Sequence, residues 1–379
     1  MYTEFMEKWA DLLGDKTQRQ LYVPEMNFFH PDAKRVTYLV PDNSGAIWYR
    51  GLQWIYQINR YHPTEFNVAI TNFIASAKAL HEGQHPGADV MIYARQDSAE
   101  VYHAIQAAGK YKVPRVYEID DDIINMPAWN PSYTSVEKRE RRDHVECIKK
   151  ILKAVDYATV STEPLKELYS KYISPDRIRV FPNAVDFDLF GFFKKTEYKK
   201  DEIVIGWAGS HGHLEDLRII VPVIKRILKE RANVKFFLAG WTQCPLFGDI
   251  PEDRIILRPW TSNLEEHYAS LLTVDIAMCP LVDIPFNRSK SNVKYLEFSG
   301  MGVPTVCSDV YPYHNTVTHG ETGFLLPPDE EAWYTTLTRL IDNADERKRI
   351  GEAGYQHVLK NYNQYYVAQD WLKFLREII

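Results

Sequence analysis

Two lysines and one glutamate in the run SKSNVKYLEFSGMGVPTV, residues 289–306, carry charges at a helical spacing. Lys290, Lys294 and Glu297 stand at i, i+4 and i+7, which predicts that they share one face of a helix. Two cations at a helix N-terminus cost roughly 0.3–1 kcal/mol each unless an anion docks there. Backbone amides at such an end bind phosphate, and a carboxylate about 10 Å farther along the axis accepts sugar hydroxyls. The pattern favours a sugar-diphosphate site, and solvated lysines on an ordinary helix are the alternative.

A glycine turn in the run IGWAGSHGHLEDL, residues 205–217, leads from a predicted strand into a predicted helix. Glycines let backbone amides approach a phosphate closely, and His211 and His213 are either phosphate donors or loop histidines. The spacing is GxxGxxG, and the next strand ends in FLAGW without an acid for a ribose. These features argue against a dinucleotide site and leave a phosphate turn or a turn without ligand.

Acidic residues follow the predicted strand in YEIDDDII. Carboxylates at the carboxyl ends of parallel strands lie where chemistry occurs in open sheets, and Asp120 and Asp121 are favoured for that role. Asp120 and Asp122 could instead hold a divalent cation, or some of these acids could cap the next turn.

The loop PDNSGAIWYR, residues 41–50, follows the first predicted strand. Ser44, Gly45 and Arg50 are predicted to contact a phosphate or an acceptor, and a simple helix cap is the alternative.

The composition limits the class of protein. The 379 residues are 45% hydrophobic and 25% charged, with a net charge of −6, so no global basic field points to nucleic acid. The four cysteines form no CxxC pair, which argues against zinc and a disulfide framework. No signal peptide or apolar run of membrane-spanning length is found, so a cytoplasmic location is expected. The basic run 137–144 contains glutamates and is interpreted as a solvated helix face.

Short β-type runs alternate with helical segments along most of the chain, which predicts parallel sheets built from βαβ units. The lysine-rich segment near residues 186–201 interrupts the alternation. We therefore predict an acceptor-side α/β domain over 1–186, a linker over 187–201, a nucleotide-sugar domain over 202–361, and a final helix over 362–379 that packs on the first domain. Ligands in such sheets bind at the carboxyl ends of the strands, so a cleft between two facing Rossmann-like domains is expected.

Six motifs, in their order along the chain, resemble the nucleotide-sugar domain of retaining glycosyltransferases of family 4, which have the GT-B fold. The resemblance covers roughly residues 157–360 and rests on VSTEPL, PNAVD, IGWAGS, DIAMCPL, KSNVKYLEFSGMGVPTV and HGETGFLLP. Over the first half it rests on VYEIDDDI and the Gly45 loop.

The resemblance implies roles for residues at matching positions. Glu297 would hold the ribose of the donor, and Lys290 and Lys294 would face its diphosphate. The first glutamate of the family's pair is absent, because Ser289 occupies its position. Gly209 and Ser210 match the family's glycine-turn residues near the phosphates. We also predict His211 and Trp260 as donor contacts, and Asp120, Asp121 and Lys290 as the catalytic set.

The resulting hypothesis is a retaining, metal-independent hexosyltransferase that needs no cofactor and uses a UDP-sugar, with a GDP-sugar as the alternative. The acceptor could be a saccharide, a lipid-linked glycan or a hydroxylated DNA base. Three other readings stay open: a sugar-nucleotide epimerase or phosphorylase on the same fold, a metal-dependent transferase using Asp120 and Asp122, and a non-catalytic sugar-nucleotide-binding protein.

Overall fold

The computed structural model describes residues 30–40, 45–72, 80, 83, 87–134, 138–199, 201–243, 245–261 and 263–379. They form two compact units, each with one six-stranded sheet. The first unit contains the described residues within 1–125, 136–184 and 364–379, and the second contains those within 126–135 and 185–363. None of the helices in this described part is long and apolar enough to cross a membrane.

The sheet of the first unit is entirely parallel, in the order β2-β1-β3-β4-β5-β6. Its strands are β1 (Lys34–Val40), β2 (Phe66–Asn72), β3 (Val90–Ala94), β4 (Arg115–Ile119), β5 (Tyr157–Val160) and β6 (Ile178–Val180). Its longer helices are α1 (Gln53–Tyr61), α2 (Ala99–Gly109), α3 (Lys138–Ala154) and α4 (Glu163–Tyr169), with shorter helical turns at Gly45–Ile47, Trp48–Leu52 and Pro175–Arg177. Strands β3 and β4 are almost completely buried, as expected for a parallel sheet covered by helices.

The sheet of the second unit is also parallel, in the order β12-β11-β10-β7-β8-β9. Its strands are β7 (Ile203–Ala208), β8 (Val234–Ala239), β9 (Ile255–Arg258), β10 (Ile276–Cys279), β11 (Thr305–Ser308) and β12 (Phe324–Leu326). Its longer helices are α5 (Val221–Glu230), α6 (Leu264–Leu272), α7 (Val293–Gly300), α8 (Glu330–Asp342) and α9 (Ala344–Asn361). Shorter turns lie at Pro131–Thr134, Phe187–Phe190, His211–His213, Leu214–Arg218, Pro245–Phe247, Glu252–Arg254 and Pro285–Arg288.

The last helix, α10 (Gln364–Ile378), belongs to the first unit and packs on α1. The rings of Trp371 and Trp54 stack with centroids 4.2 Å apart and an interplanar angle of 10°. The Phe181 ring also contacts Trp371, with centroids 4.4 Å apart. The aromatic stack ties residues far apart in the sequence into one core, so α10 is an integral part of this unit.

The segment predicted as a linker, 187–201, lies in the second unit. The Lys195 ammonium is buried, contacts Asp275 Oδ1 at 2.8 Å and donates to Val274 O at 2.9 Å. Tyr198 donates its hydroxyl to Gly302 O at 2.9 Å. These two buried side chains anchor the segment to the second unit, although its sequence is polar enough to resemble a connector.

The predicted α/β class with two parallel sheets is confirmed, and two elements were missing from the prediction. Strand β2 carries asparagines at 67 and 72, which interrupt its apolar pattern. Helix α8 begins at an Asp329 cap, but three threonines and a tryptophan weaken its helical signal. The helix predicted after the glycine turn is interrupted: one short helical turn spans Leu214–Arg218, and α5 begins at Val221. Pro222 lies in the first turn of α5, where a helix tolerates proline.

Candidate active site

The glycine turn after β7 is fixed against the end of the neighbouring strand β8. Gly209 N donates to Ala239 O at 3.1 Å, and the indole Nε1 of Trp241 donates to Gly209 O at 2.9 Å. Gly240 has a φ of +91°, and a Cβ there would stand 2.5 Å from Gly209 O. The close approach requires glycine at 240 and leaves the Gly209 peptide held from two sides.

A chain of polar contacts connects this turn to helix α7. The Lys294 ammonium lies 3.3 Å from His213 Nε2, and His213 Nδ1 lies 2.7 Å from Asp216 Oδ2. The Asp216 carboxylate is fully buried, and 17% of the His213 side chain is exposed. Gly209 is adjacent, because a Cβ at that position would stand 3.2 Å from Lys294 Cε. The contacts place one cation of α7 directly beside the glycine turn.

The protonation of this cluster follows from its burial and charges. Burial and the nearby Lys294 charge lower the pKa of His213 to about 4, although Asp216 opposes the shift. The imidazole is therefore neutral at physiological pH. Burial also lowers the pKa of Lys294, with Asp216 again opposing it. An anion docked beside Lys294 would favour its charged form.

Lys290 does not share a helix with Lys294, and the predicted common face is wrong for this residue. A short turn ends at Arg288, and α7 begins only at Val293, with Asn292 as its cap residue. Lys290 lies between the two, where its N–H donates to Asn287 O at 3.1 Å and its ammonium lies 4.3 Å from the Phe286 ring centroid. Lys294 alone of the two lysines occupies the first turn of α7.

Glu297 lies three residues beyond Lys294 on α7 and pairs with a histidine that was not predicted from the sequence. Its Oε1 lies 3.1 Å from His267 Nε2 on α6, and Glu297 is 8% exposed. Burial lowers the pKa of His267, but the hydrogen bond and charge of Glu297 outweigh it and raise the pKa above its ordinary value. Ser289, which replaces the family's first glutamate, is buried and donates its hydroxyl to Pro285 O at 3.3 Å.

The other predicted donor residues are more exposed. The His211 ring stacks on Trp241 with centroids 4.1 Å apart, so this histidine is held beside the glycine turn. Ser210 is exposed at the same turn. Trp260 follows β9 and is 65% exposed. An exposed indole of this kind offers a face on which a nucleobase could stack.

Asp120 and Asp121 lie at the carboxyl end of β4 in the first unit and share a cation. The Arg95 guanidinium is 3.2 Å from Asp120 Oδ1 and 3.9 Å from Asp121 Oδ2. Arg95 has a φ of +52°, in the left-handed region, and its N–H donates to Glu118 O at 2.8 Å. A non-glycine residue in this region is under strain, which often marks functional sites. No motif in the sequence pointed to Arg95.

Asp122 is separate from this group. Its carboxylate accepts from Asn125 N at 2.9 Å and from Asn125 Nδ2 at 2.8 Å, and burial raises its pKa. It caps a turn, whereas Asp120 pairs with Arg95. Within the described ranges, no three His, Cys, Asp or Glu side chains come together in a way that could hold a metal ion. The alternative metal site of Asp120 and Asp122 thus gains no support from their contacts.

Arg50 is not an exposed loop residue, and the prediction of a phosphate or acceptor contact is corrected at this position. Its side chain is 2% exposed, and Nε donates to Glu118 Oε1 at 2.7 Å. Nη1 donates to Phe181 O at 2.5 Å and to Asn183 Oδ1 at 3.0 Å. The guanidinium therefore ties the turn before α1 to β4 and to the segment that follows β6. Gly45 begins that helical segment, and Ser44 lies outside the described residues.

The buried Glu118 predicts a pH dependence of stability. Burial raises its pKa from 4.5 to about 7, although Arg50 opposes the shift. Between these two values the folded state binds more protons than the unfolded state, so the free energy of unfolding falls as pH rises. Urea denaturation at about pH 5 and about pH 8 should show this loss, and Glu118→Gln should reduce it. An unchanged slope in the Glu118→Gln variant would contradict the assignment.

Comparison with known sequences gives a family match within the second unit. Residues 202–343 match the family model described as Glycosyl transferases group 1. A D-inositol 3-phosphate glycosyltransferase from Corynebacterium efficiens is 25% identical over 234 residues, which is 56% of this chain and 54% of that protein. The chain therefore spans about half the length of the curated relatives it matches.

Structural comparison supports the fold over almost the whole chain. Anabaena HepE in complex with UDP and glucose has a TM-score of 0.63 at 12% identity, with 91% of this chain and 100% of that chain covered. A putative UDP-N-acetylglucosamine 2-epimerase from Listeria monocytogenes has a TM-score of 0.55 at 14% identity, with coverages of 90% and 95%. The chain thus has the GT-B fold, and its residues 202–343 match the group 1 glycosyl transferases.

Proposed function

We propose that the chain transfers a hexose from a nucleoside-diphosphate sugar to an acceptor hydroxyl, with retention of the anomeric configuration. The observation that carries the proposal is the Lys294 ammonium, which lies beside Gly209 in the first turn of α7 and within the region matching group 1 glycosyl transferases. A cation, a glycine turn and a helix N-terminus together suit a diphosphate. UDP is the favoured nucleotide and GDP the alternative.

Leaving-group stabilisation is the main contribution that we assign to the second unit. Lys290 and Lys294 neutralise the departing diphosphate, together with backbone amides that follow Gly209 in the turn, because the Gly209 amide itself donates to Ala239 O. Glu297, oriented by His267 at 3.1 Å, binds the ribose hydroxyls. Since these lysines supply the positive charge, the proposed reaction needs no metal ion.

The first unit is assigned to the acceptor. Asp120 and Asp121 orient the attacking hydroxyl, and its proton passes to an oxygen of the leaving phosphate as the new glycosidic bond forms. The guanidinium of Arg95, which lies closer to Asp120 than to Asp121, holds the Asp120 carboxylate in position for this role. The name of the Corynebacterium relative adds a phosphorylated polyol to the acceptor classes considered, namely saccharides, lipid-linked glycans and hydroxylated DNA bases.

A sugar-nucleotide epimerase is the second candidate, because the Listeria epimerase shares the fold. The two functions differ in their requirement for an acceptor. The purified chain should first be screened by thermal shift against UDP- and GDP-sugars, since a bound donor raises the melting temperature. Proton NMR of the stabilising donor, with and without acceptor candidates, then follows the anomeric signals. Transfer requires an acceptor and gives a product with the donor's anomeric configuration, whereas an acceptor-free change at C2 would establish the epimerase.

The glycine turn gives a separate test of the donor site. A Cβ at position 209 would stand 2.7 Å from Trp207, which is fully buried, and 3.2 Å from Lys294. Because Trp207 cannot yield, Gly209→Ala should displace the turn or the lysine and weaken UDP binding by about tenfold, equivalent to about 1.4 kcal/mol. Calorimetric titration with UDP measures the change. Gly248→Ala is the control, since its nearest neighbour would be 3.5 Å away, and equal affinities of the two variants would contradict the site.

A further inference from the structure

The ammonium of Lys294 contacts an imidazole, an uncommon partner for a cation that is to bind a diphosphate. Lys294 Nζ lies 3.3 Å from His213 Nε2. A lysine that supplies only positive charge needs no such contact, and its flexible side chain would let the ammonium occupy many positions. We propose that His213 is a positioning residue, which together with Asp216 holds the Lys294 ammonium beside Gly209 for the diphosphate of the donor. The inference rests on the proposed function and assigns a role that the predicted donor contacts left open.

The geometry determines which nitrogen of His213 carries the proton. Asp216 Oδ2 lies 2.7 Å from Nδ1, and an ionised carboxylate can only accept, so Nδ1 carries the hydrogen. The ammonium of Lys294 can only donate, so Nε2 must offer its lone pair. Both contacts are satisfied together by one neutral tautomer. His213 therefore transmits the orientation set by Asp216 to Lys294.

Asp216 also fixes the loop that carries the second lysine. Its Oδ1 accepts from Val282 N at 2.8 Å and from Asn287 Nδ2 at 2.9 Å. The Asn287 carbonyl in turn accepts from Lys290 N at 3.1 Å. One fully buried carboxylate thus connects to both lysines of the proposed site, through a side chain in one direction and a loop backbone in the other.

The charges around Lys294 explain why an acceptor at His213 Nε2 affects the protonation of the lysine. The titratable groups that act on the ammonium are His213, Asp216, Lys290, Cys279 and Glu297. Burial disfavours the charge of the ammonium, and Lys290 also repels it. An acceptor at His213 Nε2 stabilises the protonated form, so its removal should let Lys294 lose its proton at a lower pH.

The pairing can be tested without any ligand. Long-range ¹⁵N–¹H NMR of the full chain, with His213→Gln to assign the signals, reports the tautomer of His213. We expect a neutral ring with its proton on Nδ1 across neutral pH. A proton on Nε2, or titration at the ordinary histidine pKa near 6.5, would overturn the inference.

Two substitutions of similar size separate positioning from packing. Glutamine carries its carbonyl oxygen at about the reach of Nε2, whereas the asparagine amide reaches only about as far as Nδ1. Calorimetric titration with UDP should show a 10- to 100-fold loss of affinity, roughly that of a hydrogen bond to a charged group, for His213→Asn and a smaller loss for His213→Gln. The UDP affinity of His213→Asn should also decline at a lower pH than that of the unsubstituted chain.

A double-mutant cycle decides whether His213 acts through Lys294. In a Lys294→Met background, His213→Asn should cause no further loss of UDP affinity, because the group that it positions is gone. An equal loss in both backgrounds would overturn the inference. His314→Asn is the matched control, since His314 pairs with Asp309 at 2.6 Å on an exposed surface. If the unsubstituted chain binds neither UDP nor GDP, the proposed function fails and the positioning role with it, whereas NMR still reports the histidine pairing.

Discussion

Lys294→Met is expected to lower kcat for sugar transfer by about 100- to 1000-fold, comparable to the loss of a donor that stabilises developing negative charge. Its ammonium lies next to the glycine turn and is held by His213, and methionine preserves much of the stem's volume without the charge. Steady-state kinetics with the donor found by thermal shift measure the effect. The loss should fall mainly on kcat, because charge on the leaving diphosphate grows toward the transition state.

The control for this substitution is Lys348→Met, which removes an exposed lysine from α9 in the same unit. Both variants should fold, as judged by circular dichroism and thermal unfolding. If Lys294→Met retains kcat within about threefold, a change of less than about 1 kcal/mol, the assignment of Lys294 to the leaving group is wrong.

The largest effect on stability is expected for Arg50→Met, which should lower the free energy of unfolding of the first unit by about 3–5 kcal/mol. The substitution leaves Glu118 fully buried without its cation and removes a donor from Phe181 O and from Asn183 Oδ1. Glu118 then becomes a buried acid that must stay protonated. Urea denaturation followed by amide hydrogen exchange in β4 and β6 measures the loss within this unit.

Two further variants test whether the loss in Arg50→Met comes from breaking the buried pair. Arg35→Met breaks an exposed pair with Asp89 at 3.8 Å and should cost less than about 1 kcal/mol. The double variant Arg50→Met with Glu118→Leu should recover part of the stability, because both buried charges are then absent. Equal losses for Arg35→Met and Arg50→Met would contradict a structural role for the buried pair.

The sheets were largely predictable from the sequence, because buried parallel strands are short apolar runs that differ from the amphipathic helices around them. The start of α7 was not predictable in the same way. Residues 289–292 have the spacing of a helix but form a turn, in which the carbonyl of Asn287 accepts from Lys290 N. The buried side chain of Asn287 bonds to Asp216, so a tertiary contact fixes the break between the helices.

The partners within the candidate site were beyond sequence reasoning for a similar reason. His267 and Glu297 are 30 positions apart, and Lys294 and His213 are 81 apart, so no local pattern links them. His213 and Asp216 are separated by only three positions, and this spacing was the one local signal of the polar chain. For Arg50 a local pattern was present but misleading. The residue follows a polar loop in the sequence, yet its side chain is buried and paired with Glu118.

The first unit is built from separate stretches of the sequence, and this affects its folding during synthesis. Its residues up to 184 leave the ribosome before residues 185–363, and the helix that stacks Trp371 on Trp54 comes only afterwards. Until then the apolar surface of α1 that this helix covers has no native partner. We expect nascent chains stalled before residue 364 to recruit chaperones through that surface.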